Sequence, residues 1–242
     1  MNFTVQLAGV PIGVQSLFPA VHALCADYLT DAEPAFTAAV TPGDLRREQD
    51  RAAREALLEG RSPEPWPLDY LETLAVYRKI ATVMPDYGAF LFHGAAVAVD
   101  GAAYLFTAPS GVGKTTHTEL WLRQVPGSFI VNGDKPLLRV GDSGVEVCGT
   151  PWAGKEGRNR NCAVPLRGIA LLSRGGENRI EPVRFFEAFP LLLQQSYRPD
   201  DTAALRKTLE LLRRVGESVP LYRLRCNMDP EAASLAFDTM KL

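Results

Sequence analysis

The sequence predicts an α/β fold with a mixed sheet over residues 63–242, preceded by a small N-terminal α+β lobe over residues 1–62. Three observations predict it. After residue 88, short apolar runs of strand character alternate with segments whose apolar residues recur at helical spacing. Several of the runs are joined by two- or three-residue turn signals, which only antiparallel neighbours need, so the sheet is not purely parallel. The densest proline cluster of the chain, Gly60-Arg61-Ser62-Pro63-Glu64-Pro65-Trp66-Pro67, reads as a connector between the lobe and the main domain.

Within the lobe, residues 3–17 read as two short strands joined near Gly9 and Pro11, and Pro34 to Val40 as a further strand. Thr41-Pro42-Gly43-Asp44 is a turn that launches a charged helix from Leu45 to Leu58. Residues 68–83 carry Leu68, Leu71, Leu74, Ala75, Ile80 and Val83 on one helical face. In the main domain, Ala89 to Val99 is strand-like, Asp100-Gly101 signals a hairpin, and Ala102 to Thr107 returns as a second strand. A helix follows from Thr115 to Gln124. Phe129 to Val131, Pro136 to Val140 and Val145 to Cys148 read as strands, and Leu166 to Leu172 as a buried apolar run. Residues 185–197 and 201–214 read as helices, Leu221 to Arg225 as a strand, and 229–241 as a closing helix.

Composition narrows the function classes. A net charge of −2 gives no strong global field to favour nucleic acid or an anionic membrane, and the Arg46-Arg47 and Arg213-Arg214 pairs read as solvated faces. No stretch reaches the length of about 20 apolar residues that a membrane span needs, and the first residues lack the basic and apolar regions of a secretory signal. A cytoplasmic protein is expected. The four cysteines, Cys25, Cys148, Cys162 and Cys226, are widely spaced with no CxxC pair, which fits reduced thiols better than disulfides or zinc.

The segment that carries chemistry is Ala108-Pro109-Ser110-Gly111-Val112-Gly113-Lys114-Thr115-Thr116. It follows an apolar strand and opens a helix, the context a phosphate-binding loop requires. Gly111 and Gly113 let backbone N–H groups approach a triphosphate, and the helix N-terminus adds donors and a favourable dipole. Lys114 supplies positive charge, and the Thr115 hydroxyl suits a magnesium ion. Pro109, Ser110, Val112 and Thr116 complete the expected nucleotide contacts. Ala108 stands where a first glycine is usual. Downstream, Val131-Asn132-Gly133-Asp134 puts an acidic residue after a short apolar strand, a position from which it can serve magnesium or accept a proton.

Together, His93-Gly94-Ala95-Ala96-Val97, the loop Ser110 to Thr115, and Asp134 resemble the HPr kinase/phosphorylase family, and more closely its short kinase-like relatives. These are distantly similar to phosphoenolpyruvate carboxykinase. The resemblance covers residues 89–140 and, more weakly, the tail. It implies a P-loop kinase core of the HPr kinase/PEP carboxykinase type that uses ATP and Mg2+ to phosphorylate a serine hydroxyl of a peptide or protein. Ribosomal peptide precursors are among the acceptors the relatives suggest. In this reading Lys114 neutralises the transferred group, Asp134 takes the hydroxyl proton, and His93 supports it. Thr115, Asp134 and Glu156 serve the metal, and Arg225 or Arg223 reaches a phosphate. Three positions depart from the family pattern. Gly133 replaces an acidic residue, Pro165 stands near the expected magnesium glutamate, leaving Glu156 as the nearest acidic residue, and the N-terminal lobe is short and different.

Several residues carry a plainer reading. His22, His117 and the Leu191-Leu192-Leu193 run are expected to be structural; Arg223 and Arg225 also fit an outward-alternating strand, and Lys155, Glu156 and Arg158 a solvated loop. Other functions remain open at this level: a non-catalytic nucleotide-binding regulatory module, a kinase acting on a small-molecule alcohol, or carboxykinase-like chemistry. The N-terminal lobe is open to use as a dimer contact, giving a homo-oligomer, or as a surface for the acceptor.

Overall fold

In the computed structural model, which describes residues 1–242, the chain divides into two units, Met1–Val83 and Met84–Leu242. The first unit opens with β1 (Asn2–Leu7) and β2 (Val10–Gln15), paired antiparallel through a two-residue turn. Ala8 and Gly9 both take positive φ there, 50° and 81°, as a turn matching the twist of its strands demands. After a short helix α1 (Ala20–Leu24), strand β3 (Phe36–Ala39) joins β2 in parallel to complete a three-stranded sheet.

Helix α2 (Pro42–Leu58) begins at a capping box. The Thr41 backbone N–H donates to Asp44 Oδ2 at 2.7 Å, and Pro42 sits where a missing N–H costs nothing. Helix α3 (Leu68–Val83) lies beyond the proline cluster yet belongs to this unit, so the division falls after Val83 and not at residue 62. Its buried face explains why. Leu71, Ala75, Val76 and Ile80 pack inward, and the fully buried Glu72 accepts hydrogen bonds from the backbone N–H groups of Leu17 and Phe18. Arg78 and Lys79 reach Glu48 and Asp44 of α2 at 2.8 and 3.1 Å.

The second unit is a mixed α/β domain. Its elements are β4 (Ala89–Leu91), β5 (Ala95–Val99), β6 (Ala102–Thr107), α4 (Lys114–Gln124), β7 (Phe129–Asn132), β8 (Leu137–Gly141), β9 (Gly144–Cys148) and β10 (Ala163–Arg174). Then come β11 (Arg179–Pro182), α5 (Phe185–Gln195), α6 (Thr202–Ser218), β12 (Leu221–Cys226) and α7 (Glu231–Met240). The nine strands form one sheet in the order β4-β8-β9-β10-β6-β5-β7, with β12 beside β10 and β11 beside β12. Parallel pairing is confined to β6, β10 and β12, and every other pair is antiparallel.

Both faces of the central strands are covered. Ala103 and Leu105 of β6 and Ile169 and Leu171 of β10 face α5 and α6, meeting Ala188, Leu192, Leu212 and Val215. Tyr104 and Phe106, with Ala170 and Leu172, face α4 and α7, where Trp121, Ala233 and Ala236 pack. Burial on both sides accounts for the unbroken apolar runs.

The stretch Ala89 to Val99 is not one regular strand. It breaks at Phe92-His93-Gly94, although the pairing continues across the break. Ala89 and Leu91 pair with Arg139 and Leu137, the N–H groups of Phe92 and Gly94 donate to the carbonyls of Pro136 and Asp134, and Ala96 then pairs with Asn132. The sheet curls along this ladder, and His93 comes to lie against Asp134. Gly94 is needed at the bend, since a Cβ there would stand 3.0 Å from Leu105 Cδ1 and 3.1 Å from the Phe106 carbonyl oxygen. No helix is long and apolar enough to cross a membrane.

Candidate functional site

Strand β6 ends at Thr107, and the chain turns through Ala108 to Gly113 before α4 begins at Lys114. Gly111 and Gly113 hold φ of 79° and 124°, and a Cβ at either would meet nothing within 4 Å. Left-handed backbone, not crowding by the protein, is therefore what excludes other residues here. Ala108 has no such requirement. It is fully buried with φ outside the positive range, and its carbonyl accepts a hydrogen bond from Lys114 Nζ at 2.8 Å. Alanine thus meets every demand the position makes.

Lys114 is buried, and that burial pushes its ammonium below the ordinary lysine range, opposed by the Asp134 carboxylate. Helix α4 starts without a side-chain cap, and Thr115 and Thr116 are exposed on its first turn. An uncapped helix start with its positive dipole end, a buried ammonium and two exposed hydroxyls make a site suited to a polyanion.

That loop forms one wall of a cleft of about 490 Å³. The opposite wall carries His93, Asp134, Lys155, Glu156 and Arg158. His93 Nε2 stands 3.2 Å from Asp134 Oδ1, and Lys135 Nζ stands 2.5 Å from Asp134 Oδ2. Burial alone would raise the Asp134 carboxyl. The hydrogen bond from His93 and the Lys135 ammonium outweigh it and bring the group down to about 2. Behind the imidazole, His93 Nδ1 meets the buried Gln195 Oε1 at 2.5 Å, the His93 N–H donates to the Gln195 carbonyl at 2.7 Å, and Thr107 Oγ1 donates to the His93 carbonyl at 2.9 Å. The ring is held from both ends.

Asp134 is placed by a residue that sequence reasoning passed over. Asn132 is fully buried, and its Oδ1 accepts the N–H groups of Asp134 and Lys135 at 2.9 and 2.7 Å. Its Nδ2 donates to the Thr150 carbonyl at 2.9 Å, and Thr150 Oγ1 donates to the Lys135 carbonyl at 2.7 Å. An asparagine fixing the backbone two residues on is an Asx-turn, and the motif was readable in Asn132-Gly133-Asp134. Gly133 has its own reason: a Cβ there would lie 3.0 Å from the Ala153 carbonyl oxygen and 3.4 Å from that of Arg158. The backbone of the 153–158 loop fills the space where an acidic side chain would start.

Arg174 was also missed. From the end of β10 it donates through Nε to the Val112 carbonyl at 3.0 Å and through Nη2 to the Gly111 carbonyl at 2.5 Å, so it holds the glycine loop from outside.

Of the residues singled out from the sequence, His93, Ser110, Gly111, Gly113, Lys114, Thr115, Thr116, Asp134 and Glu156 line the one cleft. Pro109 and Val112 belong to its loop without lining it. Arg225 is not brought there. Its side chain is exposed and lies across Gly175, where a Cβ would stand 2.3 Å from its Nε. Arg223 is exposed too and pairs loosely with Glu181 at 3.7 Å; β12 is nevertheless an interior strand, between β10 and β11. Arg158 Nη2 reaches Glu119 of α4 at 3.2 Å, and Glu156 and Lys155 are exposed at the tip of their loop. His117 is structural, as expected. It is buried, and its Nε2 accepts from Trp121 Nε1 at 3.1 Å, so the neutral ring carries its proton on Nδ1.

All four cysteines are free; burial pushes the Cys25 and Cys148 thiols up to about 12. No family model matches the chain, and no curated protein matches it significantly.

Proposed function

We propose that the chain is a P-loop kinase of the HPr kinase/PEP carboxykinase type, which moves the γ-phosphoryl group of Mg·ATP to a serine hydroxyl of a peptide or protein. One observation carries this reading: the glycine loop with Lys114 and the His93–Asp134 pair open into the same cleft. The first is suited to a polyanion, the second to a hydroxyl that must lose its proton.

The acceptor oxygen forms a bond to the γ-phosphorus while the bond from phosphorus to the β–γ bridging oxygen breaks, and ADP leaves with that electron pair. The acceptor proton passes to Asp134, which His93 holds in place through its Nε2. A carboxyl held near 2 is a weak base in the free chain. Two effects offset this. Negative charge arriving in the cleft raises a neighbouring carboxyl, and in a loose phosphoryl-transfer transition state orienting the hydroxyl matters more than strong proton abstraction. Lys114, drawn from its loop carbonyls, brings positive charge to the transferring group.

Magnesium suits this donor set. Thr115, Asp134 and Glu156 line the cleft with hard oxygen donors, and this ion typically takes one or two carboxylates beside phosphate oxygens and water. When bound it would supply charge neutralisation on the phosphates. We place the activity in the cytoplasm.

The test is mass spectrometry of serine-containing peptides after incubation with Mg·ATP, comparing wild type with Asp134→Asn. Phosphate on the peptide with wild type only supports the reading; equal phosphate with both removes Asp134 from its role. A second reading, a non-catalytic nucleotide-binding regulator, is favoured by one feature: glycine stands at 133, where the resembled family carries an acidic residue. Tight ATP binding without turnover toward any peptide or small alcohol would select it.

A further inference from the structure

A second cavity, of about 360 Å³, lies beside the cleft and shares Gly113 and Thr116 with it. The two compartments differ in chemistry. The cleft is walled by Lys114, Asp134, Lys155 and Glu156, whereas the second cavity has Val112, Leu172 and Met228 with Arg174 as its one charged residue.

Its place in the fold is informative. Strands β6, β10 and β12 run parallel as neighbours, and the cavity sits just past their carboxyl ends, between the glycine loop after β6, Arg174 and Gly175 closing β10, and Cys226 to Met228 closing β12. Crevices outside the carboxyl ends of parallel strands are where α/β sheets take nucleotides. Met228 is 75% exposed, an apolar side chain left uncovered at a cavity wall. Arg174 is fixed by its two bonds to loop carbonyls, so its planar guanidinium is pre-organised for stacking.

We propose that this cavity receives the nucleobase of the nucleotide whose phosphates occupy the cleft, with the ring against Val112, Leu172 and Met228 and beside the Arg174 guanidinium. The inference rests on the nucleotide reading above and extends it by assigning the base a site of its own. The shared residues Gly113 and Thr116 are where the chain of phosphates would pass from one compartment to the other.

Two probes separate the halves: ATP, and inorganic tripolyphosphate, which has the polyanion without the ring. Calorimetric titration of each, with magnesium, is made on wild type and on Met228→Ser, a substitution at an exposed position that leaves the charge unchanged. The expected result is ATP binding weakened about fivefold in the variant, for loss of part of one apolar contact, with tripolyphosphate binding unchanged. Photolabelling of wild type with 8-azido-ATP is expected to mark residues 172–176 or 226–228. Unchanged ATP affinity in Met228→Ser together with labelling elsewhere overturns the base site while leaving the phosphate loop intact. Failure of wild type to bind either probe overturns both readings.

Discussion

His93 Nε2 lies 3.2 Å from Asp134 Oδ1 while the Nδ1 of the same ring meets Gln195, a residue 94% shielded from solvent and remote in sequence. The imidazole bridges the end of α5 and the cleft, so its orientation is set by the fold and not by the substrate. In the proposed kinase Gln195 is a positioning residue. Gln195→Ala is expected to lower kcat about tenfold with little change in KM for ATP, and to alter the pH profile of kcat, because the ring loses the partner that fixes its tautomer. His93→Ala is expected to cost about a hundredfold in kcat. Steady-state kinetics across pH checks both. A Gln195→Ala enzyme with an unaltered pH profile would reduce Gln195 to packing.

Gly133 gives a second prediction, contrary to what a comparison of motifs suggests. Restoring an acidic residue there should not strengthen metal handling. Its Cβ would press on the Ala153 carbonyl at 3.0 Å, and overpacking of this kind costs about 1–3 kcal/mol. Gly133→Asp and Gly133→Ala are both expected to lower the melting temperature and the turnover. A Gly133→Asp variant that turns over faster would refute the steric account.

The loop glycines are conformational, which separates binding from stability. Gly113→Ala places a Cβ at φ 124° in open space, so the expected cost is backbone strain of about 1–3 kcal/mol and not a clash. Relaxation of the loop should weaken ATP binding at least about tenfold. Calorimetric titration beside thermal unfolding distinguishes this from general destabilisation.

Much of this architecture can be read from the chain, and the exceptions share a cause. The Asp100-Gly101 hairpin appears with φ of 52° and 77°, because a two-residue turn leaves few chemical options. The strand, loop and helix around Lys114 follow from equally local signals. By contrast, β11 (Arg-Ile-Glu-Pro) has too little apolar pattern to read and is a strand only because β12 offers it a partner. Strand β10 extends beyond Leu166–Leu172 at both ends, through Ala163 to Pro165, which pair with β9, and through Ser173 and Arg174, which pair with β12. Arg174 and Gln195 act through contacts 62 and 102 residues away in sequence. No local pattern predicts such distances. Arg225 failed for a related reason, since alternation along β12 sends it over Gly175. The proline cluster separates α2 from α3, yet α3 stays with the first unit, where Glu72 accepts the N–H groups of Leu17 and Phe18.

Acid stability draws on groups that act with the same sign, His117 and Asp134 among them. Burial brings His117 down to about 4, below the 6.5 of an unperturbed histidine, so the unfolded chain takes up the proton first. Its contribution is complete above about pH 6.5 and is lost as pH falls toward 4, on the order of 3 kcal/mol in all. Asp134, held at about 2 instead of 3.8, adds stability that disappears at still lower pH, as the medium falls through 3.8 toward 2. Denaturant unfolding at a series of pH values should show the decline. His117→Gln, which keeps an acceptor for Trp121 Nε1, should flatten it between pH 6.5 and 4.

The most direct measurement is the affinity of Mg·ATP for Lys114→Met, beside wild type, by calorimetric titration with the fold verified by circular dichroism. Lys114 reaches only its own loop carbonyls in the free chain, so its positive charge is available to the polyanion. Affinity is predicted to fall by about a hundredfold or more, with phosphoryl transfer abolished. A folded Lys114→Met protein that binds and turns over ATP like the wild type would contradict the account.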